Sequence, residues 1–519
     1  MATPAEKLAD ALDTLHALQQ RGMVAINTKD ISTTYRQRLL KNGFLKEVLK
    51  GWYIPSSPQE QAGDSTSWYA NYWDFCRTYL VDRYGNNYTV SPDLSLQLHS
   101  GNQTVPAQLV IKAPAATNFK TDLPYHTSLF HMRGELPPNE FREQQNGMML
   151  YNLPASLVFS TPSIFTQNPN DVRAALALLG DSSEVLTILL NGGHSTIAGR
   201  LCGAFRNIGR ERIADEILKA MKAADYDVRE SDPFETKIDV ELSFKERSPY
   251  ANRMRLMWNS MRTAVIDIFP AAPGLPKDKG TYLKAVEEVY VTDAYHSLSI
   301  ERYRVTPELI EKVRSGRWNS ENNKDDRQQR DAMAARGYWQ AFQVVEQSIN
   351  NILDGANAGK VADEEHQDWY RELFGPSVTA GIIKAGDLAG YRTNQVYIGG
   401  SKHVPLNVNA LRDAMPLLFE LLASETEPSV RAVLGHFIFV NIHPYMDGNG
   451  RMGRFLMNVM LSSGGYPWTV IPVERRADYM SSLETASVTG NIAPFSKFIA
   501  ELVLLGIEGK PAATLDNIK

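Results

Sequence analysis

Near the start of the chain, apolar residues recur at helical spacing at Leu8, Leu12, Leu15 and Leu18, and Gly22 closes the helix they predict. Thr28-Lys29-Asp30-Ile31 opens a second helix that ends near Asn42-Gly43, and residues 44–55 read as two short strands around a tight turn. Helix, helix and wing is a winged-helix order, which assigns residues 1–58 to one domain. From about Tyr69 to Leu157, alternating runs such as Tyr88-Thr89-Val90 and Ala107-Gln108-Leu109-Val110-Ile111 predict a mostly β section. The pattern turns helical over 171–223, so residues 59–232 form a mixed α/β middle region. Arg229-Glu230-Ser231-Asp232-Pro233 reads as a linker into a mainly α region, 233–519, within which 318–327 reads as a polar loop.

Two patterns inside that last region matter most. Residues 431–440 are almost continuously apolar and read as a buried helix, while Met452, Leu456, Val459 and Met460 mark a second helix after a short break. Gln395-Val396-Tyr397-Ile398 alternates and runs into Gly399-Gly400, which predicts a β-hairpin.

Composition adds limits. At 519 residues with 43% hydrophobic content, the chain can form several cores. Cys76 and Cys202 are two thiols far apart, so no disulfide framework or zinc knuckle is indicated. No run approaches a membrane span and the start lacks a signal pattern, so the expected setting is the cytoplasm, without a membrane partner. A net charge of -5 argues against wholesale nucleic-acid wrapping. The charge is nevertheless locally basic between Thr28 and Lys50, with Arg36, Arg38 and Lys41 on the second helix. Duplex DNA is therefore a candidate partner of residues 1–58.

The break between the two C-terminal helices carries the chemistry: His443-Pro444-Tyr445-Met446-Asp447-Gly448-Asn449-Gly450-Arg451-Met452-Gly453-Arg454. A loop that ends at a helix N-terminus presents unpaired N–H groups and attracts anions. Gly448 and Gly450 permit positive φ and close approach, so successive amides can converge on an oxygen. Asp447 suits magnesium, which takes one carboxylate together with phosphate oxygens and water. Arg451 and Arg454 offer fork-shaped donors to terminal phosphates. His443, with an unperturbed pKa of about 6.5, can accept a proton from an attacking hydroxyl.

This loop resembles the Fic family motif, H-P-F-x-[D/E]-G-N-G-R-x-x-R, with Tyr445 in place of the usual Phe. The resemblance implies a helical Fic domain over 233–519 that uses ATP and Mg2+ to move AMP onto a Ser, Thr or Tyr hydroxyl of a target protein. It implies that His443 is the general base, Asp447 the metal ligand, Asn449 the residue orienting the α-phosphate and Arg454 the clamp on the terminal phosphate, with Gly448, Gly450 and Arg451 also at the nucleotide. Gly450 separates the chain from the Doc-like kinases, which carry Lys there. Ser297 and Glu301, in Ala294-Tyr295-His296-Ser297-Leu298-Ser299-Ile300-Glu301-Arg302, resemble the family's inhibitory motif [S/T]-x-x-x-E-[G/N] on a helix near 283–303. Arg302 departs from its Gly or Asn. The hairpin around Val396, Tyr397, Ile398, Gly399 and Gly400 resembles the family's flap, which docks the target strand.

The winged-helix segment resembles, less specifically, the N-terminal domain of AbiEi-like antitoxins. The leading expectation is a self-inhibited protein adenylyltransferase, with room for a homodimer. The alternatives are an antitoxin-like DNA-binding regulator with a nucleotide-sensing core, and an enzyme of the same fold that transfers another nucleotide or removes AMP.

Overall fold

The computed structural model describes residues 3–60, 64–238, 242, 248–316 and 326–515. They fall into two units, Met1–Arg253 with Tyr397–Val404, and Met254–Val396 with Pro405–Lys519.

The first unit begins with α1 (Pro4–Gln20), whose start is fixed by a reciprocal Thr3/Glu6 capping box and by Pro4 in the first turn. β1 (Ile26–Asn27), α2 (Thr33–Lys41), β2 (Leu45–Leu49) and β3 (Trp52–Pro55) follow, the strands forming an antiparallel sheet in the order β1-β3-β2. The second helix starts later than expected from Thr28. Ile26 and Asn27 are drawn into pairing with Tyr53 and Trp52, and Ser32 supplies the N-cap. Strand β3 alternates in the usual way. Tyr53 joins a core with Leu15, Leu18 and Leu39, while Trp52 and Ile54 enter a second core built on Trp68 and Phe75.

That second core corrects the reading of the middle region as mostly β from Tyr69. α3 (Thr66–Tyr84) is a helix with Trp68, Tyr69, Tyr72, Phe75, Cys76, Tyr79, Leu80 and Tyr84 all buried. A helix buried on most of its surface shows no polar face, and burial overrides the strand preference of its aromatics. β4 (Thr89–Val90), α4 (Pro92–His99), β5 (Gln108–Ala113), β6 (Phe119–Leu123) and β7 (Thr127–Arg133) supply a sheet in the order β4-β5-β7-β6, with β5 and β7 parallel. β8 (Arg142–Gln145) and β9 (Met148–Tyr151) pair around Asn146-Gly147, both at positive φ (50° and 77°) as a tight hairpin turn needs. Helices α5 (Leu153–Phe159), α6 (Ile164–Gln167), α7 (Pro169–Leu178), α8 (Ser183–Asn191), α9 (Ser195–Asn207) and α10 (Glu211–Ala223) complete the unit.

The stretch expected to be a linker, 229–233, is packed instead. It lies on α9 so closely that a Cβ on Gly199 would stand 2.0 Å from the Arg229 carbonyl oxygen, and one on Gly203 2.1 Å from that of Ser231. Arg206 pairs with Glu230 at 2.8 Å and Asn207 with Asp232 at the same distance. Cys76 and Cys202 are buried and unpaired, and burial pushes both thiols up, that of Cys202 to about 12.

The second unit is helical: α11 (Pro249–Ile268), α12 (Lys279–Ile300), α13 (Pro307–Arg314), α14 (Asp326–Leu353), α15 (Ala358–Thr379), α16 (Leu411–Ser424), α17 (Pro428–Ile442), α18 (Asn449–Ser462), α19 (Arg476–Thr489) and α20 (Ala493–Ile507). α17 and α18 are buried around almost their whole circumference, which explains the lack of a polar stripe in 431–440. Most of the loop expected at 318–327 lies outside the described residues. No single helix among the described residues is long and apolar enough to cross a membrane.

Candidate functional site

The twelve-residue loop joins the C-terminus of α17 to the N-terminus of α18. His443 caps α17 in the left-handed region (φ 56°), and Gly448 (φ 83°) caps the start of α18 in the same region. A histidine held there carries backbone strain, which is maintained by its surroundings. Its Nδ1 lies 3.1 Å from the Val440 carbonyl oxygen, so the proton rests on Nδ1 and Nε2 is left as the acceptor. Burial is the main force lowering its pKa, with Arg392 acting in the same direction while the Val440 contact, Glu301 and Asp447 oppose. A neutral imidazole is the result at physiological pH.

Asn449 braces the loop. Its Nδ2 donates to the Tyr445 carbonyl (2.8 Å) and its Oδ1 accepts from the Tyr445 N–H (2.9 Å). Phe374 leaves no room for a side chain at Gly448, where a Cβ would come within 2.6 Å of its ring. The Arg451 guanidinium stands over the rings of Tyr303 (5.1 Å) and Phe374 (4.8 Å), and a carboxylate near it, that of Asp447, is a long 3.5 Å away. Tyr445 stacks on Tyr370, ring centroids 3.8 Å apart at 7°. None of Tyr303, Phe374 or Tyr370 was flagged by the sequence, because an aromatic wall has no spacing rule.

Arg454 is 2% exposed and is held by the C-terminal end of α12. Its Nε donates to Ser297 Oγ (3.0 Å), and its Nη2 to the Ser297 carbonyl (3.0 Å) and to Glu301 Oε1 (2.9 Å). Its Nη1 is buried with no hydrogen-bond partner among the described residues, as are Nε and Nη2 of Arg451. Buried unmatched donors are costly, and two guanidiniums converging on the first turn of α18 form a seat for an anion. Glu301 is already in that seat, since a Cβ on Gly450 would stand 2.2 Å from its Oε1.

Arg302 fits the pattern in spite of its side chain. It takes φ 67°, its N–H donates to the Ser299 carbonyl (2.9 Å), and the Tyr303 N–H donates to that of Leu298 (3.1 Å). These two bonds make a Schellman motif, whose left-handed position favours Gly or Asn.

The segment expected to form a β-hairpin does not pair as one. Gly399-Gly400 does form a turn, with Gly400 at φ 75° and the Ser401 N–H donating to the Ile398 carbonyl (3.1 Å). Val396, Tyr397 and Ile398, however, join no strand ladder. Tyr397–Val404 folds with the first unit: Gly400 N–H donates to Thr66 Oγ1 (3.1 Å), Val105 N–H donates to the Lys402 carbonyl (2.9 Å), and Val404 enters the Trp68 core. Main-chain groups spent on distant partners cannot form a local ladder.

For magnesium, the donor set is one carboxylate. Asp447 is 64% exposed in front of α18, with Oδ1 accepting from the Gly448 N–H at 2.6 Å. No group of three or more His, Cys, Asp or Glu that could hold a metal occurs among the described residues. One outward carboxylate fits a magnesium ion that is shared with phosphate oxygens and water.

In the first unit, two of the three basic residues expected on α2 have partners of their own. Arg36 stands over the Tyr53 ring at 5.6 Å, and Arg38 donates to the Lys7 carbonyl at 2.6 Å. Lys41 is exposed.

An anion seat at a helix start, here filled by a carboxylate of the same chain, has the chemistry that suits a phosphate group. Residues 363–461 match the Fic/DOC family, so the chain carries a Fic domain. Over 235 residues it is 29% identical to a protein named Protein adenylyltransferase Fic from Drosophila melanogaster, covering 44% of each. Over 222 residues it is 31% identical to the one from Drosophila virilis, covering 42% of each. The chain thus spans under half the length of these relatives. Among solved structures, Fic-1 of C. elegans aligns with 18% identity and a TM-score of 0.37, over 66% of this chain and 96% of that one.

Proposed function

We propose that the protein is an adenylyltransferase that moves AMP from ATP to a Ser, Thr or Tyr hydroxyl of a target protein and is restrained by its own Glu301. The observation that carries this reading is the Arg454–Glu301 pair at the start of α18, where a carboxylate takes the place suited to a terminal phosphate. The likeness of the matched region to relatives named adenylyltransferases supports the same reaction.

His443 Nε2 accepts the acceptor hydroxyl's proton while that oxygen bonds to the α-phosphorus. The bond from the α-phosphorus to the oxygen bridging it to the β-phosphate breaks, leaving an AMP ester and pyrophosphate. The first amides of α18 and the freed donors of Arg451 and Arg454 bind the anionic phosphates. Asp447 would hold Mg2+, which when bound neutralises phosphate charge. Glu301 opposes all of this by keeping Arg454 engaged.

The test is full-length protein with labelled ATP, magnesium and cell lysate, comparing wild type, Glu301→Gly and His443→Ala. The glycine variant should transfer more AMP, itself included. His443→Ala should lose about 100- to 10,000-fold while still binding nucleotide. Loss of transfer in Glu301→Gly would instead favour AMP removal, with Glu301 catalytic. Label from another nucleotide alone would identify a different group transferred. A second reading, DNA binding through residues 1–58, is supported by the helix-and-wing order and the exposed Lys41. Duplex binding by the full chain that weakens as salt rises checks it.

A further inference from the structure

Among the described residues, Arg392 is a cation with no carboxylate beside it. It is 3% exposed, and its three guanidinium nitrogens all donate to main-chain carbonyls: Nε to His443 (2.8 Å), Nη1 to Asn394 (3.0 Å) and Nη2 to Leu406. Its own N–H donates to the Pro444 carbonyl at 2.8 Å. No carboxylate pairs with it among the described residues. Burying a charge without a partner is costly, and burial pulls this guanidinium down to about 10, yet it stays charged at neutral pH.

The carbonyls it chooses explain the cost. His443 and Pro444 lie at the C-terminus of α17, where carbonyls lack helix partners and the helix dipole favours a cation. Asn394 and Leu406 are on the two legs of the segment that leaves this unit after Val396 and returns at Pro405. Those legs have no strand ladder between them. Gln395 Nε2 donating to the Pro405 carbonyl (2.9 Å) is a second bridge across them.

We infer that Arg392 is a positioning residue for the acceptor: it ties both legs to the main chain of His443, so that an acceptor lying along the legs meets the base at a fixed register. The inference rests on the adenylyl-transfer reading above. A fork with three donors in one plane can hold three carbonyls at once, whereas an ammonium cannot reproduce that spacing. The charge also acts on the imidazole. Of the groups around His443, Arg392 favours its neutral form, while Glu301 and Asp447 favour its protonated form.

The experiment places Arg392→Lys and Arg392→Met in the Glu301→Gly background of the full-length protein. It measures self-modification from labelled ATP and, separately, binding of a fluorescent ATP analogue. Self-modification should fall about tenfold for Lys and about a hundredfold for Met, with nucleotide affinity within about twofold of the parent, because the anion seat at α18 is untouched. The acid limb of the pH–rate profile should move to higher pH for Met and stay in place for Lys, which keeps the charge. A parent that transfers no AMP defeats the functional reading itself. An active parent with equally active Arg392 variants overturns the inference, and so does nucleotide affinity falling in step with rate, which would make Arg392 a general support of the loop.

Discussion

On the proposed reading, in which Glu301 restrains the site, replacing Arg302 with Gly should tighten that restraint without touching the site. Arg302 is exposed, no hydrogen bond or ion pair among the described residues holds its side chain, and its backbone is at φ 67° in the Schellman turn that ends α12. A residue with a Cβ pays roughly 1–2 kcal/mol there, while glycine costs about 0.5–1 kcal/mol more to order, so the net gain is about 1 kcal/mol. The turn sits one residue after Glu301, and Arg454 is held by both Ser297 and Glu301 at that helix end. The gain therefore goes to the state in which Glu301 occupies the seat. At 1.4 kcal/mol per tenfold, basal AMP transfer should drop about fivefold. The assay is initial-rate self-modification at ATP below saturation, with Arg302→Ala as the control that removes the side chain but keeps the strain and should leave the rate alone. Combining Arg302→Gly with Glu301→Gly should abolish the effect. Arg302→Gly as active as wild type, or an equal drop in the Glu301→Gly background, would refute the argument that the turn acts through the glutamate.

Two further outcomes concern buried groups near the seat. Tyr445 is wholly buried and its hydroxyl has no partner among the described residues, whereas its ring stack on Tyr370 needs only the ring, so Tyr445→Phe should stabilise the second unit by about 1 kcal/mol, raising its melting temperature by about 2–4 °C in calorimetry; an unchanged or lower value contradicts this. Asp293, on α12, accepts a 2.6 Å hydrogen bond from Tyr338, and burial lifts its carboxyl to about 6. The folded state then holds that proton more tightly than the unfolded chain, so ionisation costs folding roughly 3 kcal/mol well above pH 6, a cost that shrinks as pH falls and is gone only below the unfolded value near 4. Asp293→Asn should melt higher than wild type at pH 8, with about a third of that free-energy gap left at pH 4.5, and a gap that does not shrink as pH falls would exclude Asp293 as its source.

What could be read from the sequence was chemistry whose partners are near in the chain or fixed by helix geometry. The loop qualifies because Gly448, Asn449 and Gly450 do their work within a few residues: a left-handed cap, a brace on Tyr445, an open space at the first turn of α18. Ser297 and Glu301 qualify because a four-residue spacing puts them near one another on α12. The hairpin expected at 395–400 failed that test. Its alternation at 395–398 is a local signal for a ladder, but its tip is held by Thr66 and Val105, some three hundred residues earlier, and no local pattern records such partners. α3 was hidden for a related reason, since burial on nearly all sides erases the polar face by which a helix is recognised. Arg392 lay furthest out of reach. It binds only carbonyls, which every residue carries, so neither Asn394, Leu406 nor His443 betrays by its side chain that an arginine is wanted beside it. The same fact bears on function: because the contacts are to main chain, substitutions at Asn394 or Leu406 should leave the tie intact, and only a change at Arg392 itself can release the legs from the base.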